Sequence, residues 1–259
     1  SQDGSRYDSR PDTGVFSGNA VFFANAGNDV IDGRGAGGSL TIYGGAGNDT
    51  LWGSQSGDHI AGGSGNDWIS AQGGDDHVYG DSGFNLDYAV TGIVDSEHFV
   101  SRLLTVPAAN TSVRLTRDDL LAGGDTITGD GGADIVFGDH GVIDQMAGTL
   151  RLLTTGAVAR IATLEAANGQ ADSIFGNAGD DILLGGGGGD TIDAGEDRNI
   201  VLGDFGFVDY VIDDGLNDDI DRIGTDDAVS SLGGNDGILS GGGNDIVLGG
   251  FGTDTVNAG

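Results

Sequence analysis

An aspartate recurs every nine residues along most of this chain, and so short a period leaves room for one brief strand and one tight turn per unit. Asp49, Asp58, Asp67 and Asp76 are evenly spaced, as are Asp125 and Asp134, then Asp172, Asp181, Asp190 and Asn199, then Asp236, Asp245 and Asp254. Asp29 belongs to the same pattern, but two extra residues around 34–38 break its phase with Asp49, and Leu40 stands where the intervening aspartate should be. Two residues beyond each of these positions comes an aliphatic side chain: Ile31, Leu51, Ile60, Ile69, Val78, Ile127, Val136, Ile174, Leu183, Ile192, Val201, Ile238, Val247 and Val256. A coincidence repeated without exception is structural.

Composition supports a turn-rich repeat and removes several alternatives. Of 259 residues, 53 are Gly and only two are Pro, with no Gly-X-Y register, so collagen is excluded. Glycine supplies the positive φ that a tight turn requires and lets backbone carbonyls approach a ligand. Acidic residues number 41 against 10 basic ones, giving a formal charge of −31. That balance excludes a nucleic-acid partner held through phosphates and any attraction to anionic lipid. No apolar run approaches the length of a transmembrane segment. With no Cys there is neither a disulfide framework nor thiol chemistry. The chain starts at Ser1 and stops at Gly259 inside a repeat, and is expected to be a segment of something longer.

Stretches such as Gly44-Gly45-Ala46-Gly47-Asn48-Asp49-Thr50-Leu51 and Gly241-Gly242-Gly243-Asn244-Asp245-Ile246-Val247 resemble the G-G-x-G-x-D-x-U-x nonapeptide of the RTX (repeats-in-toxin, hemolysin-type) calcium-binding family. Two nonapeptides make one coil, giving two parallel sheets about 10 Å apart with a thin aliphatic filling. Residues 18 apart then share an edge in adjacent coils: Asp49/Asp67, Asp58/Asp76, Asp172/Asp190, Asp181/Asn199 and Asp236/Asp254. Paired carboxylates among glycine carbonyls make the hard all-oxygen environment that Ca²⁺ prefers and Mg²⁺ tolerates badly. An isolated Asp in a turn would be read as a local cap. Stacked carboxylates with so few cations to pair them are instead expected to hold metal. The resemblance implies the same roles, with Asp29, Asp49, Asp58, Asp67, Asp76, Asp125, Asp134, Asp172, Asp181, Asp190, Asn199, Asp236, Asp245 and Asp254 as side-chain ligands and turn residues as carbonyl ligands. Asn199 lacks a charge, so its site is expected to be weaker.

The expected fold is all-β: an interrupted parallel β-roll, a β-helix solenoid with strand-rich inserts. Residues 1–38 form an irregular opening segment with a partial repeat. Roll runs cover 39–88, 122–144, 171–210 and 234–259, separated by inserts at 89–121, 145–170 and 211–233, with the last run expected to continue further. Gly80-Asp81-Ser82-Gly83, Gly138-Asp139-His140-Gly141 and Gly203-Asp204-Phe205-Gly206 are variants of one another, each preceding an insert. The inserts share an Arg-containing strand signal at Val113-Arg114-Leu115, Ala159-Arg160-Ile161 and Asp221-Arg222-Ile223, and Leu150-Arg151-Leu152 alternates likewise. On one sheet both outward residues are apolar in several turns: Ile135/Phe137, Ile182/Leu184, Ile200/Leu202 and Ile246/Leu248. Such a face is rarely left in water. The inserts are expected to fold back over it as a third β layer; the rival is contact with another chain, by self-association or with a surface partner. Trp52 and Trp68 share a sheet and suggest similar cover.

Catalytic signatures are missing. His59 and His77 fall at outward strand positions and read as solvated. There is no H-E-x-x-H and no G-x-S-x-G. Gly33-Arg34-Gly35-Ala36-Gly37-Gly38 spells a dinucleotide fingerprint without its βαβ context, and a P-loop needs a Lys the chain lacks. The acidic loop 213–219 has its Gly misplaced for an EF-hand. The expected function is therefore non-enzymatic. It is an extracellular or cell-surface structural segment that binds several Ca²⁺ (roughly six to ten, at about 10⁻⁴–10⁻³ M) and folds into a rigid rod as it does so. It would belong to a large surface, adhesin, S-layer or matrix protein. The alternative is the calcium-binding tail of a secreted enzyme or toxin whose catalytic domain lies elsewhere. The resemblance implies type I secretion for either.

Overall fold

The computed structural model describes residues 6–8, 19–87, 121–145, 158–211, 219–226 and 231–259. Among these, every regular element is a strand. Nine strands form sheet A: β1 (Arg6–Asp8), β3 (Val30–Asp32), β5 (Thr50–Trp52), β7 (Trp68–Ser70), β10 (Thr126–Gly131), β14 (Ser173–Ala178), β16 (Thr191–Asp193), β20 (Gly237–Gly241) and β22 (Thr255–Ala258). Eight form sheet B: β2 (Ala20–Ala26), β4 (Leu40–Ala46), β6 (His59–Ser64), β8 (His77–Tyr79), β11 (Ile135–Phe137), β15 (Ile182–Leu184), β17 (Ile200–Leu202) and β21 (Ile246–Leu248). Strands alternate between the two sheets in chain order, and neighbours within each sheet are parallel. That is a parallel β-roll.

The local cause is the repeat itself. A three-residue strand points only its middle side chain inward, and that residue is the aliphatic of each nonapeptide. Leu51, Ile60, Ile69, Val78, Ile127 and Val136 follow one another through a single buried core that continues to Ile238, whereas Val247 is half-buried and Val256 on the last strand is exposed. The turns between strands need left-handed backbone. Gly45 and Gly63, second in their nonapeptides, have φ of 105° and 109°, and a Cβ on Gly63 would strike the backbone of Gly45 one coil earlier.

The interruptions in the sequence are not interruptions in the roll. β7 pairs with β10 (Trp68 against Thr126) and β8 with β11 (His77 against Ile135), so the solenoid resumes in register across the first insert. It resumes likewise between β11 and β14, and between β17 and β20, where β10 pairs β14 and β16 pairs β20. Strands outside the roll form sheet C: β9 (Gly83–Asp87), β12 (Gly141–Gln145), β13 (Val158–Thr163), β18 (Gly206–Asp209) and β19 (Arg222–Thr225), in the order β19-β18-β13-β12-β9. Two of the Arg-containing signals lie in it, on β13 and β19. Those at 113–115 and 150–152, and most of the acidic loop 213–219, lie outside the described residues. β9, β12 and β18 come from the ends of runs that the sequence reading counted as roll.

Sheet C packs on the apolar outer face of sheet B. Phe137, Leu184 and Leu202 from the roll and Ile143, Ile161 and Val208 from sheet C are buried together, with Tyr79 stacked on Phe137 at a ring separation of 4.9 Å. The expected third layer is present. Cover is partial at the last coil, where Leu248 packs against this cluster but Ile246 is 45% exposed. Two expectations about outward positions need correction. His59 and His77 are buried, and the aromatic neighbours of His59 on its own sheet cover it: it lies between Tyr43 and Tyr79, at 5.5 and 5.3 Å. Neither ring nitrogen of His59 has a hydrogen-bond partner, and burial, with His77 nearby, pulls its pKa down to about 3. Conversely, Trp68 on sheet A is 39% exposed; its neighbours are Trp52 at 5.3 Å and, over Trp52, the Arg34 guanidinium.

Candidate metal sites

The fourteen periodic residues line the two edges of the roll. Asp29, Asp49, Asp67, Asp125, Asp172, Asp190, Asp236 and Asp254 occupy the edge where chain passes from sheet B to sheet A. Asp58, Asp76, Asp134, Asp181, Asn199 and Asp245 occupy the opposite edge. On each edge the side chains form a ladder in which Oδ1 of one residue accepts the backbone N–H of its counterpart one coil earlier. Asp49 N–H donates to Asp67 at 2.7 Å, Asp67 N–H to Asp125 at 2.7 Å, Asp125 N–H to Asp172 at 2.8 Å and Asp172 N–H to Asp190 at 2.9 Å. The other edge runs from Leu40 through Asp58, Asp76, Asp134, Asp181 and Asn199 to Asp245. Leu40 fills an aspartate's place and still donates its N–H to Asp58, at 2.6 Å. The 18-residue pairs are therefore neighbours, as spacing implied. Asp67/Asp125, Asp76/Asp134, Asp125/Asp172 and Asp190/Asp236 are neighbours of the same kind across inserts, which spacing could not disclose.

The second oxygen of these carboxylates sets them apart. Oδ2 of Asp49, Asp67, Asp76, Asp125, Asp134, Asp172, Asp181, Asp190 and Asp236 is buried and has no hydrogen-bond donor. All of these except Asp76, whose first repeat position is Ala71, lie across a first-position glycine from a backbone oxygen of the next coil. A Cβ built on Gly62 would collide with both Asp67 Oδ2 and the Gly80 carbonyl oxygen; one on Gly138 would meet Asp172 Oδ2 and Gly185 O; one on Gly203 would meet Asp236 Oδ2 and Gly249 O. Glycine at the first repeat position thus keeps open a pocket walled by carboxylate and carbonyl oxygens from two successive coils. Asp58 differs, for Ser54 donates its backbone N–H to Asp58 Oδ2 at 2.5 Å.

Such a pocket is costly for a bare anion. Burial above all, then neighbouring carboxylates, pushes Asp67 up to about 9, with Asp125 and Asp49 adding to it. The same order of causes takes Asp76 to about 10, with Asp134 and Asp58, and Asp172 to about 10, with Asp139. Asp190 and Asp134 rise to about 8. At neutral pH these edges need either protons or cations. An all-oxygen donor set without nitrogen or sulfur fits a hard divalent cation, and the carbonyl-rich, irregular shell fits Ca²⁺ better than octahedral Mg²⁺. Among the described residues no group of three or more His, Cys, Asp or Glu converges on one point that could hold a metal ion; each turn brings one periodic carboxylate to its edge, with backbone carbonyls beside it.

Three further aspartates carry a role the sequence reading did not assign. Asp81, Asp139 and Asp204 occupy the second repeat position where each insert departs, and all three are buried. Unlike Gly45 or Gly63 they are not in the left-handed region, and the chain leaves the roll instead of turning back. Each carboxylate then receives the returning chain: Gly123 N–H on Asp81 at 3.0 Å, Gln170 N–H on Asp139 at 3.0 Å, and Gly234 N–H on Asp204 at 2.8 Å. Asp139 also accepts Gly187 N–H at 2.6 Å, and Asp204 that of Phe251, both from the next coil. The shared Gly-Asp-x-Gly spelling was the available signal; that it marks a clamp emerges only once departing and returning segments are seen together.

The family model of the RTX calcium-binding nonapeptide repeat (4 copies) matches residues 16–39, 41–55, 52–86, 120–141, 167–206 and 224–259. No curated protein matches the chain. The matched segments span more than half of its length and coincide with the glycine turns and aspartate ladders just described. With repeat, roll and oxygen-lined edges in agreement, this chain belongs to the RTX calcium-binding nonapeptide repeat family.

Proposed function

We propose that this chain is a non-catalytic, extracellular or cell-surface structural segment that orders into a stiff rod when Ca²⁺ fills its edges. The Asp residues of both ladders act as side-chain ligands in this reading, and first-position carbonyls such as those of Gly80, Gly185 and Gly249 complete the shell. The observation that carries it is the row of buried Oδ2 atoms with no donor. Carboxylates so placed repel one another in a medium poor in divalent cations, and the thin aliphatic core is a weak counterweight; metal binding is then folding free energy. A chain that stays open in a low-calcium cytosol and closes outside suits export through a type I channel. Sheet C, which broadens one side of the roll, suits a load-bearing module of a large surface or matrix protein.

Circular dichroism during a calcium titration tests the coupling. A gain of parallel-β signal near millimolar Ca²⁺, reversal by EGTA and little response to Mg²⁺ are expected. Complete β structure in EGTA at neutral pH would defeat the proposal.

A further inference from the structure

We propose that Asn199 closes its turn without a metal ion, its side-chain amide standing where a cation stands beside the aspartates. This rests on the calcium reading above and adds to it a position where calcium is not used. Asn199 is completely buried and keeps its place in the ladder: Oδ1 accepts Asp181 N–H at 2.9 Å, and its own N–H donates to Asp245 Oδ1 at 2.9 Å. Those bonds fix which way the amide points. The atom corresponding to the donorless Oδ2 of the aspartates is therefore Nδ2, and it is fully engaged. It donates to Ala194 O at 3.3 Å and to Glu196 O at 3.1 Å, the first and third residues of its own turn.

Ala194 O is the same kind of atom that walls the aspartate pockets. A Cβ on Gly176 would meet it together with Asp181 Oδ2, just as one on Gly62 meets Gly80 O together with Asp67 Oδ2. At Asn199 two N–H groups already point at the carbonyls a cation would gather. An incoming ion would have to break both bonds and then face a hydrogen-bond donor instead of a ligand oxygen. The amide also removes one buried negative charge from a crowded edge, where Asp181 is raised to about 7 chiefly by burial. Chemistry thus separates this turn from its neighbours more sharply than a weakened site would: the cation is replaced by a permanent internal donor.

Counting bound calcium decides the matter. Native mass spectrometry, or equilibrium dialysis against buffered Ca²⁺, is applied to the whole chain as wild type, Asn199→Asp and Asn199→Ala, with circular dichroism in calcium checking that each is folded. Asn199→Asp is expected to bind one more Ca²⁺ than wild type, because it restores an oxygen and a charge. Asn199→Ala is expected to bind the same number, because no ion is lost. A count reduced by one in Asn199→Ala would make Asn199 a ligand and overturn the inference; so would an unchanged count in a folded Asn199→Asp. Should Asn199→Asp fail to fold, the Ala variant alone gives the answer. Wild type binding no calcium would defeat the functional reading and this inference together, whereas calcium binding with either contrary variant result defeats only the latter.

Discussion

The two faces of sheet B are packed in opposite ways. Inward, against sheet A, each strand offers a single aliphatic such as Val136 or Leu183, and the slab they form is bordered on both edges by buried carboxylates. Outward, against sheet C, the same strands offer pairs of larger side chains, Ile135 with Phe137 and Ile200 with Leu202, and the aromatic stack of Tyr79 on Phe137. Full burial of a Leu, Ile or Phe contributes about 1.5–3 kcal/mol. The outer core gathers that contribution with few opposing charges; Asp144 and Asp209 there have the Arg160 guanidinium between them, 3.5 Å from Asp209. The inner core gathers it against edges that resist closure. In the proposed reading one core depends on burial and the other on burial plus an ion, yet the first is built on the second.

The largest effect should come from removing the ion and then varying the proton. In chelator, Asp236 near 6, Asp190 near 8 and Asp172 near 10 are all raised from about 3.8 by burial. A raised folded-state value means that the metal-free roll binds more protons than the unfolded chain. The stability this contributes is fully present below about pH 4 and is lost as pH climbs through the raised values. Far-ultraviolet dichroism in EGTA should therefore show β structure at pH 4 that disappears by neutral pH, while calcium-loaded protein keeps it throughout. Equal metal-free stability at both pH values would erase the contrast between the cores.

Phe137→Ala probes the outer core. It empties a fully buried ring site and should cost about 3–5 kcal/mol in thermal or denaturant unfolding with calcium saturating. Its calcium count should equal that of wild type. A drop in the count would show that the cores are not separable. Smaller is Asp139→Ala, which strips the acceptor from Gln170 and Gly187 N–H groups, about 1–3 kcal/mol for a buried donor left unmet. Relief of repulsion on Asp172 offsets part of this, so the midpoint should fall by less than for Phe137→Ala. Least of all is Trp68→Ser on the open face of sheet A, expected to stay within about 1 kcal/mol of wild type. A large loss there would mean that this face is covered in solution.

How much was legible depended on whether the signal was local. Ile60 and Asp58 stand two residues apart in every nonapeptide, so strand, core and edge could all be read from one period. Trp68 pairing with Thr126 could not, since the insert between them erases the count that relates neighbouring coils. The apolar pairs Ile182/Leu184 and Ile200/Leu202 announced a covering layer because apolar surface demands one. His59 misled for the complementary reason: a polar side chain facing outward reads as wet, and only the rings of Tyr43 and Tyr79 in the neighbouring strands show it to be enclosed. Asp81, Asp139 and Asp204 were recognisable as a recurring spelling, but a hydrogen bond from residues 30 to 42 positions away has no local signature.

The clamp at those three aspartates has a consequence for how such a chain can change. Each excursion is spliced inside one nonapeptide, its two ends pinned a single hydrogen bond apart, so its length does not enter the geometry of the coils on either side. Closing a longer loop costs only slowly increasing entropy, about 0.6 kcal/mol per doubling. Material can thus be added, exchanged or trimmed at these junctions while the spacing of the aspartate edges stays constant, which makes the roll a ruled spine and the junctions its sockets.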